Sequence, residues 1–345
     1  MLRRLYAQLP EFARPDHPVM RYMLLREGRR SARRSAAIRV VGGALLLAAL
    51  AAAGWWIATD FGRGVRPAPN PLDDVFLIAF WPLVALQLLL RVLAFNATIG
   101  IIAGETQRGT WDTLKITTDG ALLSLRARWA IAFYRLWPLL ALLLIFRLLF
   151  IVAALVNLAS FQGRYLDLML SGTVPFGPPN VDETTSVVAG ILIVAAMMTA
   201  ALLAPFTAVA FDAGLGMYIS TYARGRTLSL LGQVLVILAR VLLTVWALWI
   251  GAAALDLTPF TALTAALPPL GDQPIWGWLG GFIGIVEGDL GLTLLHLPYY
   301  PRMWADYDYG ILIGAACLAY VLVQAAVANM LVRRAARRAA QPDAM

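Results

Sequence analysis

The sequence predicts an all-α polytopic membrane protein. It has six transmembrane helices, an N-terminal interfacial helix, and external re-entrant or interfacial helices between spans five and six. Three observations carry this. Of 345 residues, 60% are hydrophobic and 14% charged, with mean hydropathy +0.73, whereas soluble domains run nearer about 25% charged. Six apolar runs meet the roughly 20 residues that a helix needs to cross a bilayer. The basic residues between the runs alternate in density, the pattern that orients membrane helices.

The runs are about 38–58, 75–102, 129–158, 187–211, 230–255 and 310–332. The second and third are long enough to tilt or to project past the hydrocarbon. The first follows a basic lead longer than a secretory signal carries, and its own apolar stretch exceeds a signal h-region, so it reads as a retained span. Residues 1–37 form the basic lead, 38–332 the membrane domain, and 333–345 a basic tail. Within the lead, Pro18 to Ile38 mixes arginines with Val19, Met20, Tyr22, Met23, Leu24 and Leu25. That mixture suits a helix lying in the inner interface with its arginines toward lipid phosphates; the plainer reading is a solvated lead that only sets topology.

Orientation follows from arginine and lysine. The lead holds nine arginines; residues 103–128 hold Arg108, Lys115, Arg126 and Arg128; 212–229 hold Arg224 and Arg226; the tail holds Arg333, Arg334, Arg337 and Arg338. The three alternate segments hold Arg63, Arg66, Arg164 and Arg302, nineteen against four. Both termini are therefore expected in the cytoplasm, and the bilayer is the first expected partner. The net charge of +8 is accounted for by this topology, so no nucleic-acid partner is expected. The external segment 256–309 holds two apolar patches, Phe260–Leu270 and Ile275–Val286, too short to span. Trp276 and Trp278 suit headgroup depth. Cys317 is the sole cysteine, so no intrachain disulfide forms.

The segment Gly104–Gly120, GETQRGTWDTLKITTDG, is a polar insert between two apolar runs. Glu105, Arg108, Asp112 and Lys115 recur at spacings of three and four, so on a helix they share one side and pair along it. Trp111 and Leu114 lie on another side, suited to the membrane surface. A short amphipathic helix tied at both ends to spans transmits a push from a soluble partner; the plainer reading is a connector with solvated charges. Lys115, the only lysine, lies between Leu114 and Ile116. It forms no G-x-x-x-x-G-K-[ST] loop, so any ATP used is bound by another polypeptide and no cofactor is expected on this chain.

Residues Ile102–Gly120 resemble the cytoplasmic loop of type-2 ATP-binding-cassette exporter permeases, which read E-x-x-x-G-T-W/L-x-x-L-x-x-T-P between spans two and three. Glu105, Gly109, Thr110, Trp111, Leu114 and Thr117 or Thr118 match. Asp119-Gly120 stands where that family has Pro-Leu, and Asp119 is suited to cap the helix 121–128 instead. His17-Pro18-Val19-Met20, with Arg21 and Arg26-Glu27, resembles the family's N-P-V-L-x-R-E lead, and Gly214–Arg226 is similar to its G-x-x-x-S-x-x-x-R loop between spans four and five. The resemblance implies a dimeric permease, homo- or heterodimeric, in a bacterial inner membrane. Its cytoplasmic loops would dock on P-loop ATPase subunits, with a coupling helix over Glu105, Arg108, Gly109, Thr110, Trp111, Asp112, Leu114 and Lys115. A membrane scaffold subunit that moves nothing is an alternative from another class.

Besides Arg39 at the start of the first run, four arginines fall within runs: Arg91, Arg135, Arg147 and Arg240. Each costs on the order of 2.5–3.5 kcal/mol at mid-helix. The sequence shows no acidic partner within a span, because Asp212 and Asp256 sit at span ends. Arg135 is near enough to the inner edge to snorkel. Arg147, deepest, and Arg91 either line a translocation path for an anionic group or hold helices together through carbonyls, Gln87, Asn96, Asn157 or Gln324. An intramembrane enzyme acting on a lipid-linked substrate is the remaining class. His17 and His296 fall on opposite sides and no HExxH occurs, which leaves Asp306 and Asp308, more simply read as interfacial residues opening span six beside Tyr307 and Tyr309.

Overall fold

The computed structural model describes residues 10–17, 20–21, 48–49, 52, 71–106, 120–160, 183–222, 226–254 and 310–340. Among them the regular structure is helical. After a 3-10 turn, Glu11–Ala13, come α1 (Pro71–Ile99), α2 (Ile101–Thr106), α3 (Gly120–Ser160), α4 (Glu183–Ser220), α5 (Arg226–Ala254) and α6 (Gly310–Ala340). Four of these contain a stretch long and apolar enough to cross a bilayer, namely Pro82–Ile99, Leu122–Val152, Ala195–Ser220 and Gly314–Ala339. Leu230–Trp246 of α5 is a shorter apolar stretch. The described residues are thus those of a helical membrane protein. The first run, at 38–58, and the external patches within 256–309 lie outside the described residues, apart from Ala48, Ala49 and Ala52, which are helical.

Helix ends depart from the apolar runs. The α3 helix starts at Gly120, nine residues before its run, and extends 41 residues, about 60 Å at 1.5 Å per residue. The separate helix expected over 121–128 is its first two turns. The α4 helix continues to Ser220, so the expected loop at 212–229 is helical for its first nine residues. The reason is local: Asp212 halts a hydropathy window but not a helix whose polar groups find partners. Likewise α6 runs past Val332 to Ala340. Ala335, Ala336 and Ala339 stay buried while Arg333, Arg334 and Arg337 face outward.

The central helix is α4, packed on α1, α3 and α6. Two glycines let it approach its neighbours. A Cβ on Gly216 would overlap Thr98 Oγ1 and lie 2.8 Å from the Phe95 carbonyl of α1. On Gly214 it would lie 3.2 Å from the Ala328 carbonyl of α6. Small residues at crossing points are how helices pack where lipid is as apolar as the side chains. Polar links join the same helices and tie α5 to α1: Trp129 Nε1 donates to Ala210 O (3.0 Å), Thr207 Oγ1 to Gln324 Oε1 (2.7 Å) and, from α5, Gln233 Nε2 to Asn96 Oδ1 (2.8 Å). The outlying helix is α5, which packs mainly on α1 and exposes Leu231, Val234, Leu235, Leu238 and Leu242.

Candidate functional site

Two features stand out: a packed cluster at one end of the bundle, and an open cleft between α1, α4 and α5 beside a buried ion pair.

The end cluster is built from Ile102, Leu125, Met217, Val332, Ala335, Ala336 and Ala339, with Ile101, Leu122, Trp129 and Tyr218 against it. It joins the start of α2, the first turns of α3 and the C-terminal turns of α4 and α6. The backbone N–H of Ile102 donates to Ser220 Oγ at 3.1 Å, binding the start of the 104–120 segment to the end of α4. Beside it, Arg338 Nη1 donates to Tyr222 Oη at 2.7 Å with its guanidinium over the ring, and Tyr218 and Tyr222 hydroxyls lie 2.9 Å apart.

The lead reaches the same end. Ala13 and Met20 pack against Ala127, Ala130 and Ile131 of α3. Tyr134 Oη donates to Ala13 O at 2.8 Å, and Arg126 lies over the Phe12 ring. Met20, one residue of the H-P-V-M lead, is completely buried. The rest of the expected interfacial helix, from Tyr22 on, lies outside the described residues.

Of the residues expected to couple, Glu105 falls on α2. Arg108, Gly109, Thr110, Trp111, Asp112, Leu114 and Lys115 lie outside the described residues, as do Asp119, His296, Asp306 and Asp308. What the structure adds is the anchoring. The undescribed stretch 107–119 leaves α2 and rejoins the chain at Gly120, and both flanks, through Ile102 and Leu125, are rooted in one cluster.

The cleft corrects the expectation that no intramembrane arginine has an acidic partner within a span. Arg91 Nε lies 2.7 Å from Asp212 Oδ2, both side chains 5% exposed. Asp212 is not at a span end: α4 continues eight residues beyond it. The pair borders an open cavity of about 260 Å³ lined by Arg91, Phe95, Asp212, Leu215, Ile237, Arg240 and neighbouring side chains, whose exposed surface is almost wholly apolar. An ion pair 121 residues apart in sequence leaves no trace in a local window. The only signal is an aspartate adjoining an apolar run.

Arg147 is elsewhere. It has no exposed surface and donates from Nη1 to Ala201 O of α4. The structure therefore does not bring Arg91 and Arg147 into one cavity lining.

No family model, curated protein or solved structure matches this chain.

Proposed function

We propose that the chain is the membrane-spanning permease subunit of an ATP-driven exporter, with six spans and both termini cytoplasmic. It would act as a dimer with a separate P-loop ATPase pair. The observation that carries this is the anchoring of 107–119. A segment fixed at both flanks to a cluster uniting α2, α3, α4 and α6 passes a displacement to three spans at once, because a packed core moves as discrete bodies rather than deforming. The motif residues Gly109, Thr110, Trp111 and Leu114 lie on the segment so held, with Glu105 on its α2 flank, and Arg14 and Arg21 of the lead lie at the same end as the arginines of α6. A plain connector has no need of a hydrogen bond from Ile102 to Ser220 or of two flanks in one core.

Arg91, although it borders an open cleft, is buried and paired with Asp212, which suits a helix-holding role. Arg147, sealed between α3 and α4, suits the helix-holding role.

The experiment is co-purification of the tagged chain in mild detergent. A stoichiometric P-loop ATPase, lost on replacing Glu105 and Arg108 together, supports the reading. A chain that purifies alone where other membrane complexes survive sinks it and leaves the scaffold role.

A further inference from the structure

Two pairs of side chains, each pair one helical turn apart, meet at the basic end of the bundle. Tyr218 and Tyr222 are on α4, and Arg334 and Arg338 are on α6. The close packing of α4 on α6 at Gly214 sets the pairs side by side. The Arg338 guanidinium carbon lies 3.6 Å from the centre of the Tyr222 ring, and Nη1 donates to Tyr222 Oη at 2.7 Å. The two tyrosine rings meet edge to face, 5.4 Å apart at 74°, with their hydroxyls 2.9 Å apart. The charge of Arg334 reaches the Tyr218 hydroxyl as well. What the cluster lacks is an anion. No Asp or Glu occurs between Asp212 and Asp256, or from Gly310 to Pro342. Among the described residues neither arginine is paired with a carboxylate. Arg338 Nε is shielded from solvent yet meets no acceptor among them, and Arg334 is exposed. Sidedness asks only for exposed cations, and a helix C-terminus favours any cation. Neither requires a guanidinium held over a ring and bonded to its hydroxyl. Both pairs lie where the spanning stretches Ala195–Ser220 and Gly314–Ala339 end, the depth at which tyrosines meet lipid headgroups. One and three turns before Arg334, on the same side of α6, Met330 and Val323 are exposed.

We propose that the ends of α4 and α6 bind one anionic phospholipid, its phosphate between Arg334 and Arg338 and its acyl chains along Met330 and Val323. A guanidinium suits a phosphate because its planar donors match two oxygens at once. The tyrosines set those donors in place. Tyr222 Oη accepts from Arg338, which strengthens its own O–H as a donor to Tyr218 Oη. The Tyr218 proton is then left for the phosphate. The depth of the cluster and the apolar stripe beside it favour a lipid over free phosphate. A lipid held there ties α4 to α6 beside the packed cluster that contains Met217 and Val332. The inference goes beyond the exporter reading and does not rest on it.

The test uses the full chain in neutral detergent, titrated with phosphatidylglycerol, with phosphatidylcholine and with inorganic phosphate, the bound molecules being counted by native mass spectrometry. One phosphatidylglycerol should bind saturably and in preference to phosphatidylcholine, and inorganic phosphate should not displace it. Arg334→Gln with Arg338→Gln should weaken binding about tenfold or more, as expected for loss of charge-assisted contacts. Arg333→Gln with Arg337→Gln removes equal charge from exposed positions beside the cluster and should change binding by no more than about twofold, since solvent screens them. Tyr222→Phe keeps the ring and removes the hydroxyl. It should weaken binding several-fold, and it decides the matter if the Arg334–Arg338 variant does not fold. Equal binding of phosphatidylcholine would overturn the proposal, as would displacement by inorganic phosphate, which would assign the arginines to a free anion. Equal loss in the two double variants would reduce the cluster to a diffuse basic surface, and unchanged binding in either cluster variant would leave it no role; both overturn the proposal too.

Discussion

Arg147 donates from Nη1 to the carbonyl oxygen of Ala201, the one that Pro205, four residues on in the same helix, leaves without its usual donor. Proline has no N–H to return to residue i−4, and in lipid the freed carbonyl must find another donor, which here comes from a neighbouring helix. Arg147 and Pro205 are thus two halves of one arrangement. Arg147→Leu should cost about 1–3 kcal/mol from the orphaned carbonyl alone. In a Pro205→Ala background, where residue 205 supplies the N–H, the cost should shrink by a similar amount. Unfolding in detergent of the two single variants and the double variant measures the coupling; additive costs would disprove the arrangement.

The Arg91–Asp212 pair predicts an asymmetry. Asp212→Asn leaves a buried guanidinium without its counter-ion and should cost about 3–5 kcal/mol, whereas Arg91→Met with Asp212→Leu should cost far less. Thermal unfolding of the purified variants makes the comparison. Equal loss in both would mean that the carboxylate does not hold α1 to α4.

Much of the fold is legible in the sequence because hydropathy is local. The runs at 75–102, 129–158, 187–211 and 310–332 each fall on a helix that carries a spanning stretch. What escapes is whatever depends on distant partners. Asp212 reads as a boundary because its cation lies on another helix. The extra turns of α4 and α6 read as loop and tail, and those of α3 as a separate helix, because serine and arginine dilute hydropathy, while Ala127, Ser220 and Ala335 are buried. The Arg147–Ala201 contact has a visible half, a proline inside a run, but pairing it with an arginine on the preceding helix needs the crossing geometry.

Gly216 and Gly100 give a matched steric test. A methyl at 216 meets Thr98 Oγ1 and the Phe95 carbonyl, while one at 100 has nothing within 4 Å. Gly216→Ala must push α4 from α1 and should cost about 1–3 kcal/mol or more; Gly100→Ala should stay within about 0.5 kcal/mol. Melting temperatures in one detergent settle it, and a neutral Gly216→Ala would contradict the close α1–α4 contact.

The arginine asymmetry predicts sidedness. Cys317 is buried, so background labelling should be low. Arg337→Cys, on the exposed basic side of α6, should react with an impermeant maleimide in inverted vesicles and not in intact cells, and Arg63→Cys the reverse. Labelling of both positions from the same side would refute the proposed topology.

The coupling role makes a prediction that separates docking from transmission. Glu105 and Arg108 belong to the segment that would touch an ATPase, whereas Ser220 belongs to the cluster behind it and holds Ile102 N–H at 3.1 Å. Glu105→Ala with Arg108→Ala should therefore release the partner. Ser220→Ala removes one hydrogen bond, about 0.5–1.5 kcal/mol, and should leave the partner bound while lowering substrate-stimulated ATP hydrolysis, since α4 is then tied to the segment by the packing of Met217 alone and follows it less firmly. Pull-down yield and stimulated ATPase rate, measured together in nanodiscs, distinguish the two effects. If Ser220→Ala changes neither, the cluster is packing alone, and the push must enter the bundle through α3.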